Sequence, residues 1–223
     1  MTSDITGKYM GGGFASVPGG MTLPFRMTIA SDSPSTRAAF ASEEIVWRSA
    51  HMEFRARVMA HTLDFAVQQR ALFATQVIGL ARYFIEHSIC CIGVVQAYDG
   101  RILGVVNYGY LGGDRLSINL QAIDPQHLPG SPNLYPLRGI GTALLAMVAE
   151  EAVRSKVTEI ILHPLDSEAA RFWEAKGFVT CGTGGLHCVR GTQAILALRT
   201  QCKALPLNTT GDEWLLCSPP VRN

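Results

Sequence analysis

Residues 135–155 read YPLRGIGTALLAMVAEEAVRS, and this stretch decides the fold class. A loop with glycine at positions 139 and 141 leads directly into a segment whose apolar residues recur at helical spacing: Leu144, Leu145, Val148 and Ala152. The N–H groups of a first helical turn lack backbone partners and carry partial positive charge. Because glycine has no Cβ, a phosphate can approach those groups closely. The stretch therefore predicts an anion-binding loop at a helix N-terminus.

The segments on either side of this loop and helix read as strands. Residues 117–123 (SINLQAI) form the strand before the loop, and residues 159–163 (EIILH) form the strand after the helix. A second helix is predicted over residues 167–176, and it ends at Gly177-Phe178. The order is therefore strand, glycine loop, helix, strand, helix.

This order resembles the core of the GNAT superfamily of acyl-coenzyme A N-acyltransferases. The family's loop pattern is R/Q-x-x-G-x-G/A, often extended as RGxGIGxxLL, and residues 139–145 (GIGTALL) match its second half without a gap. The family's second motif, N-x-x-A-x-x-F-Y-x-x-x-G-F, is similar to residues 166–178, which read DSEAARFWEAKGF. Two motifs in the right order and at the right separation carry the resemblance.

Three departures from the family pattern bear on function. Pro136 stands where the loop usually opens with Arg or Gln; a second register, starting at Arg138, restores the Arg but shifts the leucine pair. Residues 126–136 (QHLPGSPNLYP) form an insertion between the fourth strand and the loop. Trp173 replaces the frequent catalytic Tyr and has no phenolic proton to give.

The resemblance implies a mixed α/β fold: a GNAT-like, twisted and centrally splayed sheet of about seven strands, with helices on both faces. Residues 1–22 are rich in Gly, Ser and Thr and are predicted to be a flexible N-terminal arm. Residues 23–223 are predicted to form a single GNAT-like acetyltransferase domain. In the alternative, Tyr9, Met10 and Phe14 of the arm dock over the site or on a partner subunit.

Local patterns place the other elements. Residues 23–30 read as a first strand, and a helical region runs from Pro34 to about Ser88 with a break near residues 49–51. Asp99-Gly100 predicts a hairpin between strands at 91–98 and 102–110. A sixth strand is expected at 179–181, pairing beside the fifth. Residues 192–205 are predicted to be a helix, with the last strand at 213–218; the alternative places that strand at 194–198.

Bulk composition excludes several classes of function. The chain has 223 residues, 48% hydrophobic and 17% charged, with a net charge of +1, which is typical of a soluble globular protein. Without clustered Lys and Arg, no nucleic-acid partner is expected, and the longest apolar run is too short for a membrane span. Six cysteines without C-x-x-C spacing, and no secretory signal, predict reduced thiols in the cytoplasm and no metal site. A homodimer is left open.

The resemblance implies acetyl-CoA as cosubstrate. The backbone amides of residues 137–142 would hold its pyrophosphate, the fourth strand would pair with its pantetheine arm, and the second helix would border it. The residues assigned to this role are Gln121, Ala122, Ile123, Leu137, Arg138, Gly139, Ile140, Gly141, Thr142, Asp166, Ala169, Phe172 and Trp173.

Acyl transfer to an amine also needs a proton acceptor and a donor for the oxyanion. The family often has a Glu on the fourth strand, but here Asn119 and Gln121 stand there, and neither is a base. The ionisable candidates near the strand ends are Asp124, His127 in the insertion, and His163 at the end of the fifth strand. The two histidines are preferred as proton acceptors, His163 ahead of His127. Tyr135 is a candidate replacement for the missing Tyr. The alternatives are structural: His163 bonding backbone groups before Pro164, and Tyr135 packing as a lid.

The function implied is transfer of an acetyl group from acetyl-CoA to the primary amine of a small molecule or peptide. Direct attack by the amine fits, because no Cys or Ser lies in an evident nucleophile motif. The alternative is a catalytically degenerate GNAT-like module that binds acyl-CoA as a sensor or partner protein.

Overall fold

A computed structural model describes residues 5–16, 22–134 and 136–202 of the chain. Eight strands and five helices lie in this part, and a short 3₁₀ turn at Pro125–His127 follows the fifth strand. The strands form one sheet in the order β1-β2-β3-β4-β5-β6-β8-β7. In chain order the elements are β1 (Gly7–Ser16), β2 (Thr22–Ala30), α1 (Pro34–Met59), α2 (Phe65–Glu86), β3 (Cys91–Ala97), β4 (Ile102–Tyr110), β5 (Arg115–Ile123), α3 (Ile140–Arg154), β6 (Glu159–Leu162), α4 (Ser167–Ala175), β7 (Val179–Thr180), β8 (His187–Arg190) and α5 (Thr192–Cys202).

The antiparallel meander from β2 to β5 agrees with the predicted strands. The β3–β4 hairpin turns at Asp99 and Gly100, and Gly100 has the positive φ of 90° that makes glycine favourable there. The Gly100 N–H donates to the Ala97 carbonyl at 3.0 Å and closes the turn.

The centre of the sheet is splayed, as the family resemblance predicts. β5 and β6 run parallel and pair only from Arg115 with Glu159 to Ile118 with Leu162. Beyond that point β5 continues through residues 119–123, and within the described part of the chain this segment pairs with β4 alone. A β-bulge coincides with the end of the pairing, because Asn119 is the extra residue between two consecutive pairs with β4. One edge of β5 is therefore open over residues 119–123.

Helices cover both faces of the sheet and bury a separate apolar layer on each. α1 and α2 pack on one face around Phe40, Trp47 and Ile78. α3 and α5 pack on the other face around Leu144 and Leu198. The predicted mixed α/β fold class is confirmed, with eight strands in the described residues where about seven were expected.

The predicted flexible arm is wrong for residues 7–16, which form β1 and pair along their length with β2. Glycine-rich composition suggested disorder, but here small residues are what the packing needs. A Cβ at Gly7 would lie 2.0 Å from the Ile29 carbonyl oxygen. Hydrogen bonds to β2 and burial of Ala15 in the core offset the backbone entropy of these glycines.

The predicted break near residues 49–51 is also wrong, since α1 runs without interruption to Met59. Ser49 does not cap a new helix there; its hydroxyl donates to the Ile45 carbonyl of the same helix at 2.9 Å. The chain breaks instead before α2, where the Asp64 side chain accepts from the Ala66 N–H.

The end of the sheet differs from the expectation. The predicted sixth strand is the two-residue β7, and it pairs with β8 rather than beside β6. β8 was not predicted, because four residues between glycine turns give too short a pattern to read. Residues 192–202 form the predicted helix, so the alternative strand at 194–198 is wrong. The predicted helix end at residues 203–205 and the strand at 213–218 lie outside the described residues.

Candidate functional site

A cavity of about 290 Å³ lies where β5 and β6 separate. Its wall includes Ile118 and residues 119–123 of β5, which do not pair with β6, on one side, and Leu162 and His163 at the end of β6 on the other. α2, α4 and two insertion residues, Leu128 and Pro129, complete the lining. Most of the lining side chains are apolar, which suits a site that excludes water from a reacting group.

Many of the residues predicted from the sequence come together in this cavity. They are Gln121, Ala122, Ile123, Gly141, His163, Asp166, Ala169, Phe172 and Trp173. The predicted residues Leu137, Arg138, Gly139, Ile140 and Thr142 do not line it. Leu137 and Ile140 are buried in the core, and the Arg138 side chain is exposed. Tyr135 lies outside the described residues.

The N-terminus of α3 reaches the cavity at Gly141. Gly139 is the N-cap, with φ 94° and ψ −11°, and no side chain among the described residues caps the helix with a hydrogen bond. The Ala143 N–H donates to the Gly139 carbonyl at 2.9 Å. By α-helix geometry, the three preceding N–H groups, at residues 140–142, have no partner within the helix. Together with the helix dipole they form a site for an anion.

Gly141 opens this N-terminus to the cavity. A Cβ built there would lie 3.5 Å from both Gln121 Nε2 and the nearest Phe172 ring carbon, so a side chain would enter the space between them. Gln121 Nε2 donates to the Gly141 carbonyl at 3.4 Å. Gln121 Oε1 is buried and has no hydrogen-bond partner among the described residues. The residues here fit a bound phosphate group and an amide-containing arm.

The two residues before Gly139 are held in place by hydrogen bonds. The Leu137 N–H donates to His127 Nδ1 at 3.2 Å. Arg138 makes two backbone hydrogen bonds with Ser16 at the end of β1, of 2.8 and 3.2 Å. The path of the chain into α3 is thus fixed by β1 and by the turn after β5.

His127 does not line the cavity. The residue is 8% exposed, and its Nε2 lies 4.0 Å from an oxygen of the fully buried Asp124. Burial lowers the pKa of His127, and the Asp124 carboxylate opposes this only in part. The structure therefore gives no support to the proton-acceptor role predicted for His127.

His163 follows β6 and its exposed side chain lines the cavity. The other ionisable side chains in the lining are Arg70, Asp166 and Glu168, and Arg70 pairs with both carboxylates. His163 makes no such ion pair with the described residues. The proton-acceptor role of His163 stays a prediction.

The N-terminus of α4 also borders the cavity, and side chains satisfy it. Asp166 caps it by accepting from the Ala169 N–H at 2.7 Å, and Arg70 of α2 donates to Asp166 at 3.0 Å. Burial raises the pKa of Asp166, but the Ala169 amide and the Arg70 guanidinium outweigh it and leave that pKa below its usual value. Arg70 was not among the predicted site residues, because 96 positions separate it from Asp166 in the sequence.

Asn119 and Trp173 have clear structural surroundings. Asn119, the bulged residue, donates to the buried Asn107 Oδ1 at 2.8 Å. From the sequence, Asn119 was identified only as a residue that stands where the family often has a Glu and that cannot act as a base. Trp173 is 6% exposed, and its ring packs edge-on against Phe172 and Phe178 at 5.0 and 5.2 Å. This aromatic cluster supports the cavity wall from the core.

Comparison with known proteins gives no match to a family model and none among curated proteins. Among solved structures, the chain is similar to an AtaTR complex bound with acetyl-CoA, at 14% identity and a TM-score of 0.45, over 60% of this chain and 84% of that one. It is similar to nourseothricin acetyltransferase at 20% identity and a TM-score of 0.38, over 45% and 65% of the two chains. It is similar to a KacTA–DNA complex at 17% identity and a TM-score of 0.43, over 55% of this chain and 85% of that one. The described sheet has the arrangement that the resemblance to the GNAT superfamily implies, with two parallel strands that separate at its centre and helices on both faces. These values leave activity and substrate to be decided by the residues of the site.

No helix in the described part of the chain is long and apolar enough to cross a membrane. Within residues 5–16, 22–134 and 136–202, no group of three or more His, Cys, Asp or Glu side chains is placed to hold a metal ion.

Proposed function

We propose that the chain is an acetyl-CoA-dependent N-acetyltransferase that acts on a primary amine. One observation carries the proposal: the uncapped N-terminus of α3 and the open edge of β5 meet in one cavity, beside His163. An anionic group and an extended amide chain can be bound side by side there, with His163 in the same lining as the proton acceptor.

Each part of the cavity has a task in this reaction. The N–H groups of residues 140–142 bind the pyrophosphate of coenzyme A. The open backbone of residues 119–123 pairs with the amide groups of the pantetheine arm, as an added strand would. The apolar wall around Phe172 keeps water from the thioester.

The chemistry needs one proton acceptor. The amine nitrogen forms a bond to the acetyl carbon as the carbon–sulfur bond breaks, and the sulfur leaves as a thiolate. His163 accepts the proton that the amine loses, directly or through a water molecule. The β5 bulge at Asn119 lies where the pairing with β6 ends, and a backbone N–H there is the candidate donor to the developing oxyanion. Among the described residues that line the cavity there is no Cys or Ser, which favours direct attack over a covalent intermediate.

Thiol release from acetyl-CoA tests the proposal. The panel of acceptors should include small amines, aminoglycosides, amino-acid derivatives, peptides with a free N-terminus or Lys, and an aminoacyl-tRNA. Release that depends on an added amine, with the matching N-acetyl product in the mass spectrum, supports the proposal. Acetyl-CoA that fails to bind by calorimetry would overturn it.

A second function is a module that binds acyl-CoA without turnover. Two observations favour it: Trp173 replaces the proton-donating Tyr, and both carboxylates in the lining are paired with Arg70. Binding of acetyl-CoA without thiol release on any amine would select this function over the enzyme.

A further inference from the structure

The approach to the glycine loop depends on a buried histidine that the reaction itself does not use. His127 lies outside the cavity, yet its Nδ1 accepts the Leu137 N–H at 3.2 Å, two residues before the N-cap Gly139. Both partners of this hydrogen bond are buried. An unpaired N–H at Leu137 would be costly, so the bond helps to fix where α3 begins.

This hydrogen bond defines the protonation state of the ring. A nitrogen that accepts carries no hydrogen, so the neutral ring has its hydrogen on Nε2, which faces Asp124 Oδ2 at 4.0 Å. A second proton would go to Nδ1 and would turn the acceptor into a donor facing the Leu137 N–H. The doubly protonated ring cannot keep the bond.

The charged surroundings of His127 come from three elements. Asp124, at the end of β5, favours the charged imidazole, and Arg101, before β4, disfavours it. Arg101 and Asp124 are themselves paired at 2.6 Å. Behind them lies Glu43 of α1, a buried carboxyl whose pKa is raised to about 7 by its burial. Burial lowers the pKa of His127, so the second proton binds only in acid.

We propose that His127 is a positioning residue for the anion site: the neutral ring holds Leu137, and therefore the first turn of α3, in the geometry that binds coenzyme A. Protonation of the ring releases Leu137 and weakens that binding. The inference rests on the proposed function for the identity of the ligand, while the hydrogen bond is a property of the protein alone.

Two variants separate the hydrogen bond from the charge. His127→Asn places an amide oxygen near the position of Nδ1, so it can accept from Leu137 at every pH. His127→Leu keeps the bulk and removes the acceptor. Coenzyme A affinity is measured by calorimetry at pH 7.5 and pH 5 for both variants and the wild type, because the phosphates of the ligand titrate equally in all three.

The wild type should lose more affinity between pH 7.5 and pH 5 than His127→Asn does, by about two- to tenfold, the magnitude of one hydrogen bond. His127→Leu should bind about two- to tenfold more weakly than the wild type at pH 7.5 and should lack the extra loss in acid. Equal pH dependence in the wild type and His127→Asn would overturn the proposal. If His127→Leu fails to fold, the comparison of the wild type with His127→Asn decides alone.

Amide hydrogen exchange at Leu137 gives a readout without ligand. The wild-type amide should be protected at pH 7.5 and should lose protection at pH 5, relative to its intrinsic exchange rate, whereas His127→Asn should keep its protection. Unchanged protection in the wild type would overturn the positioning role. A wild type that binds no coenzyme A at either pH would instead overturn the proposed function, and the exchange data would still decide the role of His127.

Discussion

Two helices, α3 and α4, begin at the same cavity, and their first turns differ in chemistry. α4 starts with a carboxylate: Asp166 accepts from the Ala169 N–H and is itself paired with Arg70. α3 starts with Gly139 in the left-handed region and has no side-chain cap. One helix end is complete without a ligand, and the other presents open donors.

The difference explains which end can bind an anion. At α4 the carboxylates of Asp166 and Glu168 occupy the place that a phosphate would take, and their charge repels one. At α3 the open N–H groups and the positive end of the dipole attract one. A helix N-terminus is thus an anion site only where the sequence leaves it uncapped. α4 instead closes the wall beside His163.

The largest effect is expected at His163, which lines the cavity at which both helices begin. His163→Ala should lower kcat/KM by about 10²- to 10⁴-fold, the usual contribution of general acid–base catalysis, and should leave coenzyme A affinity unchanged. The loss should be greatest below the pKa of the acceptor amine and should shrink as the pH rises, because more of the amine is then already neutral. His87→Ala, at an exposed histidine that does not line the cavity, is the control. A loss that is equal at all pH values would point to damaged packing.

The next effect tests the open helix end. Gly141→Val puts methyl groups between Gln121 and Phe172, where the pyrophosphate must approach, and should lower coenzyme A affinity about tenfold or more in calorimetry. The circular dichroism spectrum should stay native, because the added Cβ meets its neighbours at ordinary contact distances. Ala146→Val, further along α3 and away from the cavity, is the control. Unchanged coenzyme A affinity in Gly141→Val would show that the N-terminus of α3 does not bind the pyrophosphate.

A smaller effect tests the closed helix end. Asp166→Ala removes the cap of α4 and Asp166→Ser keeps a capping oxygen, while both remove the charge. Asp166→Ala should have a free energy of unfolding about 1 kcal/mol below that of Asp166→Ser in urea denaturation. Because the anion site is at α3, both variants should bind coenzyme A no more weakly than the wild type. Weaker binding in both would show that α4 takes part in holding the ligand.

The smallest expected effect is the pH dependence of the stability that the Asp166 cap contributes to the fold. The folded-state pKa of Asp166 is below its usual value, so the ionised side chain stabilises the fold above the unfolded-state pKa. This stability is lost as the pH falls through the lower, folded-state pKa. The difference in thermal unfolding temperature between wild type and Asp166→Ala should therefore be full at pH 7 and should narrow in acid. A constant difference would assign the effect to packing.

Elements that depend on short sequence patterns could be predicted from the sequence alone. The glycine loop and α3 follow from residues 139–145, and the β3–β4 hairpin follows from Asp99-Gly100. The motif over residues 166–178 predicted α4. Each of these is set by neighbours along the chain, through helical period, turn geometry or capping, so its pattern can be read without knowing the fold.

Three other features depend on contacts between segments that are distant in the sequence, so they became visible only in the tertiary structure. Residues 7–16 form a strand because β2 offers them a partner, although their glycines would be flexible alone. Arg70 meets Asp166 across 96 positions of sequence. His127 carried the same sequence signal as His163, an imidazole near a strand end, but packing buried one against Leu137 and left the other in the cavity. Side-chain chemistry is fixed by the sequence, whereas burial and partners come from contacts between distant segments, and these decide which imidazole can take part in the reaction.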